Sequence, residues 1–333
     1  MGKQPVYLVF RKANPGNFSI ESIYRGLLNF WRQSKQTQFD FKTISLNHNF
    51  DLFNFVKYFL RSLFVRGQII HVTGGVNYMI MAFPFQKRVL TIHDFYYLKA
   101  EKKSAVYRWL YYQLPLRYAT KVVVVSKATK SDLQQLFPSA TDKAVVINNP
   151  LTVPLAAPEI ALNRTPSKPI HILQIGGKAL KNYDRLLEAC RELEVKLTLV
   201  HARPHGLEEK LKACGLTARA RVLSTISSEQ LQELYQQADL LYFASLEEGF
   251  GLPILEAQAN GLPILTSNRS PMKDLAPEAF LVDPLDTAAI RAAILQFIKE
   301  GYSREKRVSA YERLDQFSYE HIAQQYSALY AEL

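Results

Sequence analysis

Cysteine is scarce in this chain, with only Cys190 and Cys214 among 333 residues. That rules out a disulfide framework, and the two are not spaced as metal ligands. A cytoplasmic compartment is the default expectation. Long apolar runs are missing too: residues 52–60 are interrupted by Lys57 and followed by Arg61, so no window spans a bilayer. The apolar stretch at residues 6–10 meets Arg11 and Lys12 and is too short for a secretory leader. Acidic residues are rare in the first half. Residues 1–150 hold 21 Lys and Arg against 7 Asp and Glu, while the remainder hold 20 against 23. The whole excess of the +11 net charge therefore sits in one half. Such asymmetry suggests an anionic partner, with nucleic acid, an anionic membrane surface and a phosphorylated substrate all open. A merely solvated basic face is the plain alternative.

What is present is an alternation of short β-rich runs and amphipathic stretches. In the first half, strands are expected at residues 5–10, 41–46, 68–73, 88–93, 121–126 and 144–148. Helical patterns fill 19–32, 51–66 and 103–118. Continuous apolar runs such as 122–125 fit a parallel sheet covered on both faces. Residues 149–168 contain four prolines and little periodicity, which reads as a linker. The pattern then restarts, with strands at 170–175, 196–200, 239–243, 263–266 and 280–282 and helices at 183–193, 228–238 and 287–300. The expectation is α/β: two doubly wound, Rossmann-like domains, residues 1–152 and 169–317, facing across a cleft. Ligands of open α/β sheets bind beyond the carboxyl ends of the strands.

The most specific segment is Ser245-Leu-Glu-Glu-Gly-Phe-Gly-Leu-Pro-Ile-Leu-Glu-Ala-Gln-Ala-Asn-Gly261, directly after the apolar run Leu240-Leu-Tyr-Phe243. Pro253 suits the first turn of a helix and Gly261 suits its end, so the order is strand, glycine turn, short helix. Gly249 and Gly251 let backbone approach a ligand, and amides around Phe250–Leu252 at the helix start attract an anion. Glu248 on the turn and Glu256 on the helix can accept hydrogen bonds from hydroxyls. An anion site between two hydroxyl acceptors suits a sugar nucleotide. A core helix with water-facing glutamates is the alternative, but it leaves the glycine turn without a purpose.

Glu248 and Glu256, with seven residues between them, resemble the Glu-x7-Glu signature of retaining GT-B glycosyltransferases, and the whole run resembles the family 4 form. Ile175-Gly-Gly-Lys-Ala-Leu-Lys-Asn182 resembles the family's glycine loop and Lys-Asn pair. The resemblance implies donor contacts from Gly176, Gly177, Lys181 and Asn182, with Lys181 on the diphosphate. Lys178 stands where many members carry arginine; it is a point charge without the bidentate fork, and a solvated loop charge is the other reading. Thr91-Ile-His-Asp-Phe95 resembles the family's His-Asp turn, which implies that His93 approaches the donor sugar while Asp94 orients the turn. Asn17, in the polar loop before the first helix, Gly74 and Gly75 after a strand, and Ser126 in Val122-Val-Val-Val-Ser-Lys127 are acceptor-side candidates; the glycines are equally plain turn residues. Residues 318–333 resemble the closing helix that packs back on the first domain.

The resemblance implies replacement of a nucleoside diphosphate on a hexose by an acceptor hydroxyl with retention, Glu248, His93 and Lys181 being the catalytic group. UDP and GDP donors and glycan or lipid-linked acceptors fit the family, in cell-surface polysaccharide or glycolipid synthesis. No Asp-x-Asp sequence occurs, so neither a metal nor another cofactor is expected. A non-catalytic sugar-nucleotide or glycan-binding module on the same fold is the alternative. Nucleic-acid binding would rest on the basic half alone and has no recognised motif. Aromatic and basic residues mix at helical spacing in 53–66 and 102–118, which suggests docking on an anionic membrane or, equally, helices covering a sheet.

Overall fold

The computed structural model describes residues 3–11, 19–34, 38–46, 52–64, 67–99, 103–200, 206–224 and 226–333. The chain forms two compact units. One comprises Met1–Thr152 with Gln316–Leu333, the other Val153–Asp315. Each is built on a six-stranded sheet in which every recorded pairing is parallel. Parallel strands joined by helices must be covered on both faces, and the strand sequences obey this: Ile69–Val72 and Leu240–Phe243 are buried at every position.

In the first unit, β1 (Gln4–Arg11), β2 (Phe39–Leu46), β3 (Ile69–Val72), β4 (Lys87–Ile92), β5 (Lys121–Val124) and β6 (Ala144–Val146) lie in the order β2-β1-β3-β4-β5-β6. The chain adds β2 on one side of β1 and then crosses to add β3 on the other, so the strand order reverses between β1 and β3. The second unit repeats the scheme. Its strands β7 (Ile170–Ile175), β8 (Val195–Val200), β9 (Ala220–Leu223), β10 (Leu240–Phe243), β11 (Ile264–Ser267) and β12 (Phe280–Val282) lie in the order β12-β11-β10-β7-β8-β9, and the reversal falls between β7 and β10. Such switch points open a crevice beyond the strand ends, because consecutive loops there diverge to opposite faces.

The closing helix Tyr319–Ala331, capped by Ser318, belongs to the first unit and meets its sheet through a buried polar chain. Tyr24 donates to Thr91 Oγ1 at 2.8 Å and lies 2.9 Å from the Tyr326 hydroxyl. His71 spans the gap, with Nε2 2.7 Å from Thr91 Oγ1 and Nδ1 2.6 Å from the Tyr330 hydroxyl. All five side chains are buried, so each needs the others: an orphaned polar group there costs about 1–3 kcal/mol. Trp31 stacks on Phe41 at 4.1 Å beside this chain and completes the packing of the Ser19–Gln33 helix on the sheet edge.

Four local readings need correction. The 103–118 pattern is broken: Ala105–Arg108 is followed by a π-helical turn at Trp109–Gln113 and a short helix at Leu114–Tyr118, where Pro115 lacks the N–H a regular helix would use. The helix expected at 51–66 is found over Leu52–Ser62 and gives way to a turn at 63–64, residues 51, 65 and 66 lying outside the described residues. Residues 149–168 are not a bare linker: Pro158–Leu162 is helical, and Ala161 is buried against Gly261, where any Cβ would collide with its carbonyl. The edge strand β9 was not expected, because four residues, Ala-Arg-Val-Leu, are too few to show a period.

Burial holds the His71 imidazole down at about 3, against an ordinary 6.5, with His93 adding to the shift. Between those values the unfolded chain takes up a proton that the folded chain refuses. Stability should therefore fall as pH drops below about 6.5, by up to about 1.4 kcal/mol per unit for this one group. His71→Gln is expected to flatten the dependence of urea-unfolding stability on pH between 7 and 5; an unchanged slope would show that His71 is not its source.

Candidate functional site

Both loops of interest leave the carboxyl ends of the two central strands of the second sheet. β7 and β10 are adjacent and parallel, with Gln174 beside Tyr242, so the segments after Ile175 and after Phe243 emerge side by side at the switch point. This explains how Lys181 and Glu248, 67 positions apart, come together: Lys181 Nζ lies 2.5 Å from Glu248 Oε1. The Lys181 ammonium also sits 4.6 Å from the centre of the Phe243 ring, whose face favours a cation. The pair is partly shielded, with side-chain exposures of 22% and 14%. Its charges are thus felt more strongly than on open surface.

The loop after β7 is shaped to place that lysine. Gly176 has φ +104, and a Cβ there would fall 2.7 Å from Lys181 Cγ, so the lysine stem runs across a position that must stay bare. Lys178 is exposed at the start of the Ala179–Lys181 turn, and Gly177 is half-buried before it. Asn182 corrects an expectation. Its side chain is buried and engaged within the unit: Nδ2 donates to Ala244 O at 3.0 Å and Pro284 O at 2.6 Å, and Oδ1 accepts from Arg185 Nη1 at 2.9 Å. At φ +58 it adopts the left-handed conformation that asparagine tolerates better than most. Asn182 therefore locks the loop after β7 to those after β10 and β12. A bond from Leu246 N to Leu180 O, 2.8 Å, adds a second tie.

After β10 the chain turns through Glu248 and Gly249 to Phe250, which is buried, and Gly251 at φ +112. The helix Leu252–Ala259 begins there with Pro253 in its first turn. Its start carries partial positive charge and lies near the ring that holds Lys181, since a Cβ on Gly251 would come 3.7 Å from Phe243 Cε1. Glu256 lies one turn further along, 9% exposed, and its Oε2 accepts a hydrogen bond from Tyr235 at 2.6 Å. Tyr235 comes from the helix Ser228–Gln237 and looks in sequence like any core tyrosine. Nothing in the pattern marked it.

On the first unit, His93 follows β4 and its Nε2 lies 2.8 Å from Thr73 O. A carbonyl only accepts, so Nε2 carries the hydrogen and Nδ1 the lone pair. Burial lowers the His93 pKa, against the Thr73 bond and the charges of Asp94 and Glu21. Gly74, at φ +115, lets the turn after β3 close against the imidazole, since a Cβ would approach His93 Cδ2 to 2.7 Å. Gly75, at φ +75, lies on the same turn. Asp94 Oδ1 accepts from Tyr96 N, holding the turn as expected. Glu21, buried, pairs with Arg11 at 3.2 Å at the end of β1, a pair the sequence reading missed. Ser126 corrects another expectation: it is buried and caps the helix Lys127–Leu136 by accepting from Thr129 N, so it does not line an open surface. Asn17 lies outside the described residues.

Comparison with known proteins decides the family. The profile described as Glycosyl transferases group 1 matches residues 160–315 and that of Glycosyltransferase Family 4 matches residues 11–153. The chain belongs to the family 4 glycosyltransferases. The O-antigen chain mannosyltransferase B of Escherichia coli is 30% identical over 232 residues, covering 62% of this chain and 59% of that enzyme. Alignments with three curated relatives cover 39–67% of their lengths. Among solved structures, sucrose-phosphate synthase from Thermosynechococcus elongatus matches with a TM-score of 0.77, 19% identity and 99% of both chains. Anabaena HepE, solved with UDP and glucose, matches with 0.74, 17% identity and 98% and 99% of the chains. This family 4 chain thus has the GT-B fold of two Rossmann-like domains. Among the described residues no group of three or more His, Cys, Asp or Glu is placed to hold a metal ion.

Asn182→Ala removes three side-chain hydrogen bonds, orphans buried carbonyls and puts a Cβ residue without asparagine's tolerance in a left-handed turn. It is expected to cost about 2–4 kcal/mol in chemical denaturation. A loss under about 1 kcal/mol would contradict the locking role.

Proposed function

We propose that this protein is a retaining hexosyltransferase that moves a sugar from a UDP or GDP donor to a hydroxyl of a glycan or lipid-linked acceptor. The observation that carries the reading is the Lys181–Glu248 contact at the β7/β10 switch point, beside the start of the Leu252–Ala259 helix. The second unit takes the donor. Lys181 and the helix start receive the diphosphate, with Gly176, Gly177 and Lys178 around it; Glu248 accepts from hydroxyls of the sugar and Glu256 from the ribose diol. The first unit contributes His93 to the sugar and carries the acceptor, with Gly74 and Gly75 shaping the turn that holds His93.

As the anomeric bond breaks, negative charge gathers on the leaving diphosphate. Lys181 and the helix start stabilise it where it develops, an effect often worth several kcal/mol. Glu248 already faces an ammonium, which suits a clamp on hydroxyls better than a nucleophile. Retention then follows a front-face path in which the donor phosphate takes the acceptor proton, and no metal is needed because Lys181 supplies the countercharge. The mannosyltransferase relative and the UDP-bound neighbour support a nucleotide-sugar donor and a polysaccharide setting without choosing the base.

Transfer of radiolabelled hexose from UDP- or GDP-sugars should persist in EDTA and fall about a hundredfold or more in Glu248→Gln and in Lys181→Ala. Donor binding by the wild type with no transfer to any acceptor would instead favour a non-catalytic sugar-nucleotide module. A thermal-shift comparison of UDP- and GDP-sugars chooses the base, since a ligand of the folded state raises stability.

The acceptor reading extends to membranes. No helix among the described residues is long and apolar enough to cross one. The helix Leu52–Ser62, however, is apolar on two faces. Phe55 and Tyr58 turn inward against Tyr78 and Phe83, while Phe53 is 77% exposed and Leu52, Val56 and Leu60 are exposed beside Lys57 and Arg61. An outward apolar stripe flanked by cations suits the interface of an anionic bilayer, and we propose that the protein docks there from the cytoplasmic side. Sedimentation with phosphatidylglycerol vesicles should exceed that with phosphatidylcholine and drop in Phe53→Ser/Leu60→Ser. Equal sedimentation with both lipids would defeat the proposal.

A further inference from the structure

Glu256 does not stand alone on its helix. Its Oε2 accepts from the Tyr235 hydroxyl at 2.6 Å, and Tyr235 is fully buried. Burial, and next the Glu256 charge, push the Tyr235 hydroxyl well above its ordinary 10, so it remains a donor at any working pH. The tyrosine is itself held from behind. Arg164, from the segment before β7, donates to the carbonyl oxygens of Tyr235 at 3.2 Å, Gln236 at 2.8 Å and Asn260 at 3.1 Å, and also to that of Ala238. These are carbonyls at the ends of the Ser228–Gln237 and Leu252–Ala259 helices, which have no partner inside their own helix. Gln232 Nε2 donates to Asn260 Oδ1 at 2.8 Å, and Asn260 Nδ2 donates to Glu256 O at 2.8 Å. The two helices are thus clamped at one end, with the tyrosine–carboxylate contact between them.

A glutamate side chain has three rotatable bonds, and hydroxyl recognition needs its oxygens fixed. A short bond from a rigid, buried phenol to one oxygen sets the plane of the carboxylate and directs the other. We infer that Tyr235 is a positioning residue that fixes Glu256 for the two ribose hydroxyls of the donor nucleotide, without touching the nucleotide itself. This rests on the proposed role of Glu256 and extends it: discrimination between ribo- and deoxyribonucleotides is set one layer beneath the site.

The test compares the full-length wild type with Tyr235→Phe and Glu256→Gln by titration calorimetry, using UDP and GDP, each beside its 2′-deoxy counterpart. The readout is the affinity ratio of ribo to deoxy form, which a loss of folded protein does not move. In the wild type the better-bound base should show a ratio of about tenfold or more, because a site built around a hydroxyl rejects the analogue lacking it. In Tyr235→Phe the ratio should fall to about twofold, with the 2′-deoxy affinity nearly unchanged. A ratio in Tyr235→Phe equal to the wild type's would overturn the positioning role while leaving Glu256 intact. A ratio in Glu256→Gln equal to the wild type's would remove the ribose reading of Glu256 and the inference with it. If Tyr235→Phe does not fold, 3-fluorotyrosine at 235 keeps the ring and a slightly stronger donor that stays protonated beside the carboxylate. There the ratio should match or exceed the wild type's, and a fall to about twofold would overturn the inference.

Discussion

The contact between Lys181 and Glu248 can exist only because two parallel strands distant in sequence, β7 and β10, are neighbours at the point where the strand order reverses. Several residues of the second unit serve that contact. Gly176 stays bare so the lysine stem can cross it, Phe243 places a ring under the ammonium, and Asn182 ties the loops of three strands together from behind. Opposite charges at this distance satisfy one another in the resting protein. A diphosphate entering beside them would compete with Glu248 for the ammonium and release the carboxylate toward sugar hydroxyls. The pair is then both the resting state of the site and the means by which donor binding would organise it.

The two units solve different problems with one architecture. The second fixes charges at its switch point. The first fixes a neutral imidazole: His93 is bound through Nε2 to Thr73 O, desolvated, and covered by a turn that only glycine can close. Behind it lies the chain of Tyr24, Thr91, His71, Tyr326 and Tyr330, which fastens the closing helix to the sheet. Its groups are buried and mutually satisfied, so this helix adds rigidity to the strands that carry His93 and not merely apolar cover.

Much of this was legible in the sequence. Short β-rich and apolar runs located eleven of the twelve strands, and the Glu-x7-Glu spacing picked out the loop and helix that carry Glu248 and Glu256. The misses have two causes: burial and pairing depend on partners that the sequence does not identify, and very short elements show no pattern. Asn182 looked like a ligand contact because it follows Lys181, yet its amide is consumed by Ala244 and Pro284. Ser126 sat in a family-like segment but spends its hydroxyl on a helix cap. Strand β9, Ala-Arg-Val-Leu, is too short to show a period, and Tyr235 matters only because a helix places a carboxylate 21 positions away against it. The outward face of Leu52–Ser62 was visible as an aromatic and basic mixture, but only solvent exposure separates it from an ordinary covering helix.

The central claim is that the donor diphosphate occupies the place where Lys181 and Glu248 now meet. A crystal structure of the protein with UDP or GDP tests it most directly. The expected result is phosphate oxygens within about 3 Å of Lys181 Nζ and beside the start of the Leu252–Ala259 helix, with the lysine drawn off Glu248. Nucleotide bound elsewhere, with the Lys181–Glu248 contact unchanged, would contradict the account.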